Sequence, residues 1–156
     1  VNTLADLEPY FREIVDEMWL GAWRIELTVA DEADIPDAYA TCEPVENLRI
    51  AVITLRSDWP DWDPDALRYI LCHELVHCYL ADLDPATNVL HDELNPSAWN
   101  LFRRAMLLTI ERMTDHIASA WASQLPLPPP TNQPAKEDGN YEEEAAKEDG
   151  NYEETL

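Results

Sequence analysis

Residues 71–80 read LCHELVHCYL, an apolar run carrying two histidines and a glutamate, and the fold turns on where those three side chains point. On a helix, Ala66, Ile70, His73, His77 and Leu80 fall on one stripe at spacings of four, three, four and three. Side chains four apart lie one above the other, so both imidazoles reach a single ion, while Glu74 sits about 100° round the axis toward the open side. Such a His-Glu-x-x-His segment suits a divalent metal held by nitrogen with a general base beside it. The competing reading is a pair of hydrogen-bonded core histidines, because a motif this short recurs by chance.

Around this segment the chain divides into recognisable elements. Asp63-Pro64 supplies an N-cap and a first helical residue, opening a helix that runs to about Leu80, and Asn95-Pro96 repeats that signature for a long last helix to about 123. Leu4, Leu7, Phe11, Ile14, Val15 and Met18 follow helical spacing over residues 4–19, with Gly21 as the expected terminator. WRIELTV (23–29), YATCEPV (39–45) and LRIAVITL (48–55) read as strands. The fold class expected is α+β, in the order helix, three strands, two helices, with strand 48–55 expected to expose an edge beside the histidine helix.

A third metal ligand has to come from elsewhere in the chain. On the last helix Leu108, Glu111, Asp115, Ala118 and Ala122 form one stripe, spaced three, four, three and four. Burying two carboxylates on a small, apolar stripe is costly without partners, and a cation held by imidazoles across the interface relieves that cost. The alternative is that this stripe faces water, leaving Trp99, Phe102, Met106, Ile110, Met113, Ile117 and Trp121 as the core face; the neighbours Leu107 and Leu108 argue against full exposure.

HELVH at 73–77 together with Glu111-Arg-Met-Thr-Asp115 resembles the gluzincin class of zinc metallopeptidases, and more closely the short single-domain HExxH proteins of phages and bacteria. The resemblance covers about residues 20–123. It implies a small zincin-like domain in which His73, His77 and Glu111 bind Zn2+, Glu74 activates water, and Asp115 orients His73 through its ring N–H. The 34 residues from His77 to Glu111 exceed the spacing in thermolysin, the best-known gluzincin, so substrate preference does not carry over. His91, fourteen residues after His77, offers an alternative third ligand of the kind used by SprT-type proteases. It is followed by Asp-Glu-Leu rather than that family's glycine, and it serves equally as a substrate or oxyanion contact. Tyr69 and Arg112 are further candidates for the oxyanion donor. His116 is turned away from the ligand stripe.

Composition narrows the partners. Forty-six per cent hydrophobic residues in 156 support one domain with a core, assigned to residues 1–123. The proline-rich stretch 124–134 reads as a stiff linker, and residues 135–156 carry AKEDGNYEE twice, an acidic tail expected to be disordered. That tail is a solubilising segment or a docking segment for a protein partner. A formal charge of −22 disfavours nucleic acid and anionic membranes, and no segment suits a membrane span or export signal. Cys42, Cys72 and Cys78 form no disulfide framework, which fits a reducing compartment: the cytoplasm, or a host cytoplasm or virion if the protein is phage-encoded. The expected activity is zinc-dependent hydrolysis of a peptide or protein substrate. The alternative is a non-catalytic zincin-fold binding or structural protein, such as a phage particle component.

Overall fold

The computed structural model describes residues 3–45 and 48–130; the acidic repeat and the end of the proline-rich stretch lie outside them. The order is α1 (Leu4–Glu17), β1 (Arg24–Ala30), β2 (Ala40–Val45), β3 (Ile50–Arg56), a 3-10 turn (Trp59–Asp61), α2 (Pro64–Leu80), α3 (Leu83–Asn88) and α4 (Pro96–Ala122). The class is α+β, as expected. The short α3 was not anticipated, because its six residues LDPATN carry no helical period.

Thr3 opens α1 with a capping box: its hydroxyl accepts from the Asp6 N–H while the Asp6 carboxylate accepts from the Thr3 N–H. The helix stops before Gly21. Leu20 donates its N–H to the Val15 carbonyl and Trp19 donates to Asp16, the paired bonds of a Schellman ending. Trp19 takes the left-handed conformation there, at φ 55°. Glycine would hold that position at less cost. Burial of Leu20 therefore decides the ending, since turning the chain at Trp19 puts Leu20 into the core.

β3 lies in the centre of the sheet, parallel to β1 and antiparallel to β2, in the order β1-β3-β2. This corrects the expectation that residues 48–55 expose an edge: both edges of β3 are paired, and β2 is the strand set against α2. The pleat of β3 sends Ala51, Ile53 and Leu55 to one face, where all three are fully buried. Ile25 and Leu27 of β1 join that face in register with Ala51 and Ile53. Against it pack Leu7, Phe11 and Ile14 of α1 with Leu67, Leu71 and Leu75 of α2.

α2 is covered on more than one side, which is why its apolar residues do not form a single stripe. Leu71, Cys72, Leu75 and Val76 are fully buried, whereas Ile70, His73, His77 and Leu80 are half-buried and form the face turned to α4 and the cleft. On α4 the deeply buried positions are Thr114, Ala118 and Ala122. Ile110, Ile117 and Trp121 beside them are half-buried, Ile117 and Trp121 against the core, whereas Met113 is exposed. Leu107 and Leu108 are exposed, contrary to expectation, because only the second half of α4 is pressed fully onto the body.

The first residues after Ser123 return to that body. Leu125 is buried, its carbonyl accepts from Arg68 at 2.7 Å, and the Pro126 carbonyl accepts from the Tyr10 hydroxyl at 2.8 Å. Among the described residues no helix is long and apolar enough to cross a membrane.

Thr114 carries a fully buried hydroxyl with no hydrogen-bond partner among the described residues. Replacing it with the near-isosteric valine removes a desolvated, unsatisfied group, and Thr114→Val is expected to raise stability by about 1 kcal/mol. Urea unfolding of both proteins measures the difference. A lower midpoint for the variant would mean that the hydroxyl has a partner in solution.

Candidate metal centre

α2 presents His73 and His77 one turn apart, with ring centroids 5.1 Å from each other. α4 crosses this face so that the Glu111 carboxylate meets both rings: Oε2 is 3.6 Å from His73 Nε2 and Oε1 is 4.0 Å from His77 Nε2. One donor atom from each of His73, His77 and Glu111 lies within 4.8 Å of the others, a grouping able to hold a metal ion. A tetrahedral ion with bonds of about 2.1 Å requires donor atoms about 3.4 Å apart. The His73–Glu111 pair is close to this already, and the rest is within reach of side-chain rotation, since Glu111 is about half exposed. Two imidazoles and a carboxylate are a donor set suited to a borderline ion such as zinc.

Behind the ligand stripe stands a second carboxylate. Asp115 Oδ1 lies 3.2 Å from His73 Nδ1 and also accepts from the Tyr69 hydroxyl at 2.8 Å. With the Nδ1 proton directed at Asp115, the lone pair of His73 is left on Nε2, facing Glu111. Tyr69 is held as a neutral donor, its pKa pushed up to about 12 by burial and then by Asp115.

Glu74 projects from the same turn into a drier environment. It is 7% exposed, and burial, reinforced by the nearby Glu111 charge, pushes its pKa up to about 7. A divalent cation beside it would act in the opposite sense. Burial lowers the pKa of His77, an effect that outweighs the upward pull of Glu111, so the ring favours its neutral, ligating form.

These groups line a cleft of about 480 Å³ between α2, α4 and residues 38–42 at the start of β2. Tyr39 stands at its rim, edge-on to Trp62 at 5.4 Å and beneath the Arg56 guanidinium at 4.6 Å. Arg56 is itself anchored by paired 2.8 Å bonds to Asp58. The sequence reading missed this wall, because YATCEPV announces a strand without saying which element its outer edge faces. It also missed the approach of Cys42 on β2 to Cys78 on α2, whose sulfurs are 3.9 Å apart.

The other candidates lie elsewhere. His91 follows α3, its Nδ1 3.0 Å from Asp92 and its ring edge-on to Trp99 at 5.2 Å; it lines no part of the cleft and does not join the donor group. The interposed α3 carries this loop to the first turn of α4, more than three turns before Glu111. Arg112 is exposed on α4 outside the cleft lining, one residue round the helix from Glu111. His116 lines a separate depression with Trp121 and Gln124. No protein-family model, curated protein or solved structure matches this chain.

Two measurements follow from this geometry. His77→Ala and Glu111→Ala are each expected to weaken divalent-ion binding severely, while Asp115→Asn, which removes the charge behind His73, weakens it by about 10–100-fold. Isothermal titration with Zn2+ reads all three, and a Glu111→Ala protein of unchanged affinity would remove Glu111 from the site. In the metal-free protein, the raised pKa of Glu74 means that folding takes up a proton in the interval from about 4.5 to about 7. Its favourable contribution is complete below the lower value and is lost as pH rises through the upper one. Metal-free Glu74→Gln is thus expected to gain up to about 3 kcal/mol over the native chain at pH 8, with little gain at pH 4. Denaturant unfolding at the two pH values checks the sign.

Proposed function

We propose that the chain is a zinc-dependent peptide hydrolase whose reaction centre is the cleft between α2, α4 and β2. The observation that carries this reading is the placing of a buried, proton-seeking carboxylate, Glu74, on the turn that also presents the grouped His73 and His77. A site serving only to hold an ion has no need of such a base.

His73, His77 and Glu111 would hold Zn2+. When bound, the ion supplies a Lewis acid that polarises the scissile carbonyl and makes water more acidic. Glu74 takes a proton from water in the cleft and returns it to the departing amine; its place on the turn that presents both histidines suits it to both transfers. Asp115, steadied by the Tyr69 hydroxyl, fixes the tautomer and orientation of His73. β2 has β3 on one side and no strand on the other among the described residues. Its free edge supplies main-chain donors and acceptors to an extended peptide laid along the cleft, and side chains then select the sequence.

Peptide cleavage by the zinc-loaded chain, followed by mass spectrometry of a mixed peptide library, tests the proposal. Glu74→Gln is expected to retain zinc and lose at least about 100-fold in rate, the usual contribution of a positioned base. Zinc retained with no Glu74-dependent cleavage of any peptide would instead make this a binding or structural protein.

A further inference from the structure

Next to the metal cleft lies a second cavity of about 310 Å³, sharing Cys42, His77 and Glu111 with it as walls. Pro44 of β2, Leu80 of α2, and Leu107 and Ile110 of α4 make the rest of its lining apolar, apart from Arg103. Arg12, Arg56 and Arg68 each pair with a carboxylate on their own stretch of chain, and of the arginines without an ion pair among the described residues only Arg103 lines this cavity. Arg103 is exposed and has no ion pair or hydrogen bond from its side chain among the described residues. In a chain with 32 acidic residues against 10 basic ones, an unpaired guanidinium at an apolar cavity is a local exception to the prevailing field.

We infer that this second cavity is a specificity subsite of the cleft, taking an apolar peptide side chain followed by a carboxylate that pairs with Arg103. The peptide identity of the ligand rests on the hydrolase reading. A guanidinium offers a planar fork to a carboxylate, so the match is chemical as well as electrostatic. Glu111 opposes an anion in the same cavity, and its position limits where the carboxylate settles. Arg103 precedes Glu111 by eight residues, so their backbones are about 12 Å apart along α4. Glu111 therefore repels a carboxylate from its own end of the cavity and favours its settling at the Arg103 end. The same span corresponds to about three or four extended residues, placing the carboxylate that far from the bond held at the histidines. A side-chain carboxylate within a longer peptide and the C-terminal carboxylate of a short one both meet this description.

Three peptides separate the possibilities in the intact, metal-free chain: N-acetyl-Leu-Ala-Glu-amide, N-acetyl-Leu-Ala-Ala as the free acid, and neutral N-acetyl-Leu-Ala-Gln-amide. Methyl NMR of Leu80, Leu107 and Ile110 follows each titration. At least one carboxylate peptide is expected to shift these signals with a Kd about three- to fivefold below that of the neutral peptide, as for one exposed charge-assisted pair. Arg103→Gln is expected to abolish that difference and Arg103→Lys to keep part of it. The tighter of the two carboxylate peptides assigns the source. Equal binding of all three, a preference that survives in Arg103→Gln, or no shift at any soluble concentration overturns the inference. The readout needs neither zinc nor turnover, so a failure to hydrolyse peptides counts against the hydrolase reading alone. Hydrolysis together with equal binding counts against the subsite alone.

Discussion

The close crossing of α4 over α2 is the contact on which the rest depends. Ala118 and Ala122 are small enough to let the helices approach, and Thr114 fills the interface one turn earlier. Continuing along the same stripe toward the start of α4, the side chains lengthen to Asp115 and Glu111 just where α2 offers His73 and His77. One half of the interface is therefore packing and the other half is chemistry. The register of the first half sets the distances in the second.

That arrangement also separates the carboxylates by environment. Glu111 and Asp115 remain half open to water and lie beside the imidazoles, whereas Glu74 is buried, and burial raises its pKa. Glu74 is buried because α2 is covered by the sheet as well as by α4, and β2 closes over the turn that carries it. Three acidic groups within a few turns of helix thus have distinct physical characters without any change of residue type. Tyr69 extends the ordering outward by holding Asp115, so that the His73 ring is restrained from behind.

The sheet contributes an edge as well as a core. Because β3 is central, β2 is left with one side unpaired among the described residues, and its leading residues form the cleft wall opposite the histidines. Tyr39 is kept at the rim by Trp62 and by an arginine that Asp58 holds in place. Farther along, Pro44 and Leu107 bound the cavity at Arg103, so β2 and α4 together frame a path longer than the group of His73, His77 and Glu111 itself.

Much of this was legible in the chain. Helical spacing, the Asp63-Pro64 and Asn95-Pro96 starts and the β-branched runs determined the elements and their order, because these signals are local. The same spacing determined that His73 and His77 share a face and that Glu111 and Asp115 share another. Tertiary structure alone decided that those two faces meet, that β3 is central, and that α1 ends at Trp19 so that Leu20 is buried. It alone left His91 with Trp99 and outside the cleft, and made Arg103 part of the lining of a largely apolar cavity. The physical reason is the same in each case: periodicity tells which side chains lie together on one element, while the choice of opposing element depends on burial summed over the whole chain.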